Sequence, residues 1–180
     1  MVRVCKLQSL RLMFFVCSLL PLSSAMAESF VAVELGAVYS DIDSSGPGDD
    51  LGIVGTDTGY HFGVGAYRNQ DESRWIYGVK LEVEDVQGNV LLGLRAIDVG
   101  FLVSPRFALK GFLGAARYDL TTAAYGWRFG LGASYQLAEH WVVAADLVYN
   151  DKLSRDSGGG NDTAVYYNIY QGLLTLQYRF

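Results

Sequence analysis

The chain has 180 residues, 51% of them hydrophobic and 18% charged, with a formal net charge of −5. That acidic balance excludes a nucleic-acid partner, which needs a basic face. No apolar run beyond the first 22 residues approaches the length of a transmembrane helix, so the grease must be distributed by alternation.

The first 27 residues read as a secretory signal peptide. Arg3, Lys6 and Arg11 give a positive start, LMFFVCSLLPL at 12–22 is a short apolar run, and Ala25-Met26-Ala27 is a small-x-small cleavage site. The mature chain is then one domain, 28–180. Both cysteines, Cys5 and Cys17, leave with the signal, so no disulfide or thiol chemistry is expected. Three of the 14 basic residues leave too, and the net charge becomes 11 minus 19, or −8.

From residue 29 onward the chain alternates with the strand period of two. Residues 29–40 set Val31, Val33, Leu35, Ala37 and Tyr39 against Ala32, Glu34, Gly36 and Ser40. Residues 57–68 set Tyr60, Phe62, Val64 and Ala66 against Gly59, His61, Gly63 and Gly65. Residues 74–86 oppose Trp75, Tyr77, Val79, Leu81 and Val83 to Lys80, Glu82 and Glu84. In 90–104, Arg95 and Asp98 fall on opposite parities, which predicts a bulge or a shift. Residues 107–119 place Phe107, Leu109, Leu113 and Ala115 against Lys110, Gly114 and Tyr118. Residues 127–138 oppose Trp127, Phe129, Leu131, Ala133, Tyr135 and Leu137 to Arg128, Gly130, Gly132, Ser134 and Gln136. Residues 141–151 oppose Trp141, Val143, Ala145, Leu147 and Tyr149 to Asp146 and Asn150. The terminal run YQGLLTLQYRF alternates to the last residue and makes the eighth strand.

The breaks alternate in character as well. NQDES (69–73), SPR (104–106) and AEH (138–140) are short, while 41–52, 120–126 and 154–163 are longer and mostly rich in Gly, Ser and Asp. QGN (87–89) is short where a long loop is expected. Short turns at one end and longer loops at the other predict an all-β, eight-stranded antiparallel up-and-down barrel.

Alternation alone does not say which face points inward, because a soluble ligand-binding barrel of the lipocalin kind also alternates. Three features favour apolar-outward. Aromatics on the apolar face gather near strand ends, where interfacial girdles belong: Tyr39, Trp75, Tyr77, Phe107, Trp127, Trp141, Tyr149, Tyr170, Tyr178 and Phe180. The polar face carries both signs, Glu34, Glu82, Glu84 and Asp146 against Lys80, Arg95, Lys110 and Arg128, as a narrow interior with paired charges requires. Glycine is frequent on that face (59, 63, 65, 78, 93, 114, 130, 132), which relieves crowding inside a small cylinder. The last strand must then pair on both sides to close the sheet, because lipid offers no hydrogen-bond partner. This predicts a seam between the C-terminus and the strand beginning near Phe30.

A cleaved signal, eight alternating strands and a terminal Phe preceded by apolar or aromatic residues at alternate positions resemble the small outer-membrane barrels of the OmpA and OmpX type. The stretch YGWRFGLGASYQLAEHWVVAADLVYND (125–151) resembles their late hairpins. The resemblance implies a monomer in the bacterial outer membrane, in contact with membrane lipid and lipopolysaccharide, with both termini periplasmic and the longer loops outside. It also implies that Tyr170, Leu174, Leu176, Tyr178 and Phe180 form the signal read by the barrel assembly machinery.

Some barrels of this size modify lipid A, which requires a His beside a nucleophilic Ser and an orienting acid. The family pattern is His-Tyr-Ser-Asn on the penultimate strand, and this chain has Leu147-Val148-Tyr149-Asn150 there. His140 falls in a short turn at the periplasmic end, and His61 is mid-strand on the polar face, where it reads as an interior hydrogen-bonder. Asp41, Asp43, Ser45 and Gly46 mimic the start of a calcium loop, but Gly52 stands where the bidentate Glu belongs. GVGAY and GLGAS lack the lysine and helix of a phosphate loop. The expectation is therefore a non-enzymatic barrel with no cofactor and no bound metal, whose interior charges form a salt-bridged plug, and which displays loops for envelope integrity or surface contact. A lipid-modifying enzyme and a soluble ligand carrier are the alternatives.

Overall fold

A computed structural model describes residues 27–45, 55–70, 73–119, 123–154 and 166–180. Residues 1–26 of the predicted signal peptide, and most of the three longer loops, lie outside the described residues.

Eight strands follow one another: β1 (Ala27–Ser45), β2 (Gly55–Gln70), β3 (Trp75–Val86), β4 (Asn89–Ser104), β5 (Phe107–Asp119), β6 (Ala123–Gln136), β7 (Trp141–Ser154) and β8 (Tyr166–Arg179). Each pairs antiparallel with the next, and β8 returns to β1, closing the barrel. The predicted seam is present: Ala32 pairs with Arg179, and the Phe180 amide donates to the Val31 carbonyl at 2.9 Å. Closure leaves no unpaired edge, the condition a bilayer imposes on a sheet.

The strands are staggered. Following paired residues around the barrel from Ala32 leads through Gly65, Lys80, Arg95, Gly114, Arg128, Asn150 and Ile169 to Ile42. The circuit therefore returns to β1 ten residues (42 minus 32) beyond its start. A stagger of that kind tilts the strands and sets a cylinder just wide enough for side chains to fill.

The apolar parity faces outward throughout. Leu35, Tyr60, Trp127, Leu131, Leu147, Leu174 and Phe180 are exposed, while the opposite parity is buried. Large apolar side chains outside and ionised ones inside is the inverse of a soluble barrel, and rules out the lipocalin-like alternative. Aromatic rings collect at both rims. Trp141, Tyr178 and Phe180 stack edge-on in a row, with centroids 5.0 and 4.8 Å apart, at the end that carries the chain termini. At the other end, the loop end, Tyr149 lies against Tyr170 at 4.7 Å and against Phe129 at 5.2 Å.

The bulge in β4 falls where Arg95 and Asp98 required it. Arg95 pairs with Gly114 and Ile97 with Leu113, so Ala96 is the extra residue and both charged side chains point inward. The short QGN link is a two-residue hairpin turn: Gln87 and Gly88 both have positive φ, 51° and 72°, as a type I′ turn demands.

Several boundaries differ from the sequence reading. β1 runs on to Ser45, so Asp41 and Asp43 are strand residues on the outer face, and the resemblance to a calcium loop fails on geometry. Ala123–Gly126, expected in a loop, belong to β6, and β8 begins four residues before Tyr170.

Candidate functional site

The interior is layered along the barrel axis. At the terminal end polar and apolar side chains together line a cavity of about 30 Å3 between Tyr67, Ile76, Asp98, Lys110, Ser134 and Gln177. The middle is ionic. At the loop end Ile42, Val86, Leu91, Tyr118, Leu153, Tyr167 and Ile169, from six strands, pack into an apolar cluster.

The ionic layer brings together all eight interior charges read from the sequence. Lys80, on β3, reaches Glu34 on β1 at 2.5 Å and Glu82 at 3.0 Å. Arg95 Nη2 forms an ion pair with Glu82 at 2.7 Å and donates to Asp146 on β7 at 2.9 Å. Lys110 also reaches Asp146, at 3.0 Å. Arg128 donates through Nε to Glu82 at 2.9 Å and through Nη2 to Glu84. Its Nη1 donates to Asn150 at 2.9 Å and to Gln171 at 3.0 Å. The acceptors come from strands all round the barrel, so the network ties the cylinder together across its interior as well as around its wall. Charges removed from water persist only when paired and hydrogen-bonded in this way.

The structure adds members that the sequence did not list with the network. Asp98 lies 3.9 Å from Arg95 and accepts from Tyr67 at 3.3 Å; the bulge had hidden its parity. Phe112 carries the Arg95 guanidinium over its ring at 3.6 Å, an arrangement that the parity of Lys110 and Gly114 would have revealed. Gln171 donates to Glu84 at 2.8 Å, and Asn150 donates to Gln171 at 2.7 Å.

His61 is fully buried in the network. Its Nε2 contacts Glu34 at 2.7 Å and its Nδ1 contacts Glu84 at 3.1 Å. The ring thus bridges carboxylates carried by β1 and β3. Around it the interior gathers Glu34, Glu82, Glu84, Asp98 and Asp146 with Lys80, Arg95, Lys110 and Arg128. Glu34, His61 and Glu82 present donor atoms within 4.8 Å of one another, with the Lys80 ammonium donating to Glu34 and 3.0 Å from Glu82. His140, by contrast, sits exposed at the terminal end, bonded through Nδ1 to the Arg179 carbonyl at 3.0 Å.

Of the terminal-strand residues, Tyr170, Leu174, Leu176 and Phe180 are exposed on the outer face and Tyr178 half-exposed between Trp141 and Phe180.

A sheathed, charge-filled cylinder of eight antiparallel strands is a transmembrane β-barrel, and its apolar exterior belongs in a bacterial outer membrane. The chain has the fold of the small eight-stranded outer-membrane proteins. It superposes on Ail, the attachment invasion locus protein of Yersinia pestis, with a TM-score of 0.53 and 13% identity over 85% of this chain and 99% of that one. It superposes on Neisserial surface protein A with a TM-score of 0.51 and 13% identity, over 87% of this chain and all of the other. No protein-family model matches the chain, and no curated protein matches it in sequence.

Proposed function

We propose that this protein is a non-enzymatic, non-conducting outer-membrane barrel that holds its loop end at the cell surface, with both termini periplasmic. Its work is mechanical and interfacial: a stable stake in the envelope whose loop end, where β1 connects to β2, β5 to β6 and β7 to β8, is presented outside the cell. The observation that carries this reading is the buried, salt-bridged interior. A catalytic group needs access to substrate and freedom to exchange protons; His61 is enclosed by Glu34, Glu84 and their partners, and β7 (Trp141–Ser154) carries no histidine.

The outer residues Tyr170, Leu174, Leu176, Tyr178 and Phe180 serve, in this reading, both as lipid surface and as the signal for barrel assembly. The Ail structure contains a heparin analogue, sucrose octasulfate. That ligand class does not suit the present chain. Its loop end carries Asp41, Asp43, Asp57, Asp85, Asp119 and Asp151, with Arg117 already paired to Asp119 at 2.8 Å. Such a rim repels a polyanion and favours a neutral or basic surface partner.

Three measurements on the protein in its membrane test this. Membrane fractions from expressing cells should yield a band whose gel migration changes on heating, and tags inserted at 46–54 or 155–165 should be accessible on intact cells. A lipopolysaccharide deacylation assay on the wild type should show no turnover. His61-dependent turnover would establish the enzymatic alternative, and tags accessible only after lysis would reverse the orientation.

A further inference from the structure

The interior differs sharply between its two ends. At the terminal end a cavity is lined by the polar Asp98, Lys110, Ser134 and Gln177 together with Phe30, Tyr67 and Ile76. A cavity of about 30 Å3 that offers the polar groups of Asp98, Lys110, Ser134 and Gln177 has room for roughly two waters. Lys110 retains 16% side-chain exposure, and the Arg95 Nε and Nη1 atoms, buried just beyond, have no hydrogen-bond partner in the protein. Buried donors of that kind are ordinarily satisfied by water. The loop end is the opposite. Val86, Leu91, Tyr118, Leu153, Tyr167 and Ile169 are closed to solvent and interlocked, with the Tyr118 ring edge-on to Tyr167 at 6.4 Å. The Tyr118 hydroxyl, which the packing could have left stranded, donates to the Val86 carbonyl at 3.0 Å.

From this asymmetry, and resting on the reading of the barrel as non-conducting, we infer that the barrier to permeation is the apolar plug around Tyr118 and Tyr167, and that the ionic layer beneath it is hydrated from the terminal end. The salt bridges neutralise charge and brace the wall; the seal is made by a constriction that holds no water. An ion entering from the terminal end could shed its shell onto Asp98, Lys110 and the Arg95 donors, but would meet an apolar barrier in the final layer. A constriction of this sort blocks by remaining dry.

Two experiments test the assignment, both on protein folded into lipid, with heat-modifiable migration as the check on folding. The first leaves the plug intact. Ser134→Cys should react with a small water-soluble thiol reagent in the folded barrel, and Ala124→Cys, beside Tyr118, should react only after unfolding. Equal reactivity at both positions would overturn the inference. The second is conductance across a planar bilayer. Wild type and Lys80→Gln should be silent, while Tyr118→Ala combined with Tyr167→Ala should give discrete conducting events. Conductance in Lys80→Gln with silence in the plug variant would overturn the inference and leave the proposed function standing. Conductance in the wild type would remove the proposed function itself.

Discussion

Arg128 on β6 reaches across the interior to Glu82 on β3, donating through Nε at 2.9 Å with both side chains fully buried. The two residues lie 46 positions apart in sequence and on strands that are not neighbours, so this contact belongs to the folded cylinder alone. Removing one partner should be strongly destabilising. Arg128→Met strands Glu82 and Glu84 in a low-dielectric interior and should cost about 3–5 kcal/mol. Arg128→Met with Glu82→Gln should recover part of that loss. Urea unfolding from lipid vesicles measures both, and a single variant as stable as wild type would contradict the account of the network.

The parity of β6 can be tested with one side chain placed on each face. Leu131 is 71% exposed on the outer surface and Ser134 is 7% exposed on the inner one. Leu131→Arg near mid-membrane should cost about 2–4 kcal/mol, because the guanidinium has only hydrocarbon around it. Ser134→Arg points toward the hydrated terminal mouth and should cost less. Equilibrium unfolding in vesicles should rank them in that order.

The hairpin turn offers a backbone test. Gly88 has a φ of 72°, and a Cβ built there meets nothing within 4 Å, so only conformational strain opposes substitution. Gly88→Val should destabilise by about 1–2 kcal/mol. Its neighbour Gln87, at φ 51°, carries a similar strain in the native protein. Gln87→Asn should therefore gain stability, since asparagine tolerates this region better. Both shifts are read from the same vesicle unfolding curves.

Assembly and lipid contact can be separated at the last residue. Phe180→Ala keeps the backbone bond to Val31 and removes only the ring. Folding of purified protein into vesicles should proceed nearly as in wild type, while the yield of heat-modifiable barrel in cells should fall. Equal loss in both settings would make the ring structural and leave no role in recognition.

The acidic loop-end rim predicts which polyanions are refused. Immobilised heparin should not retain the folded protein in low salt, and a basic peptide surface should retain it more strongly as salt is lowered. Retention on heparin would show that the loops override the rim aspartates.

The membrane-facing surface was the most legible part of the chain, because period-two alternation survives wherever a strand separates hydrocarbon from a polar interior. The same rule located Glu34, Lys80, Glu82 and Arg128 on one face without saying which would touch. Contacts such as Arg95 with Asp146 depend on the stagger, which is set by hydrogen-bond register around the whole circuit and leaves no mark in any single strand. Asp98 escaped the network because one extra residue, Ala96, inverted its parity. The apolar plug escaped for a different reason. Ile42, Val86, Leu91, Tyr118, Leu153, Tyr167 and Ile169 are scattered over six strands, one or two to a strand, on faces that are otherwise largely polar.

The ten-residue offset between Ala32 and Ile42 constrains how such a chain can change over evolutionary time. In a closed antiparallel sheet, adding one residue to a strand exchanges the inside and outside of everything beyond it, unless the addition is set aside locally, as Ala96 is. Divergence in this architecture is therefore channelled into residue replacement and into the lengths of the connecting segments. Strand lengths change two residues at a time or by accepting a kink.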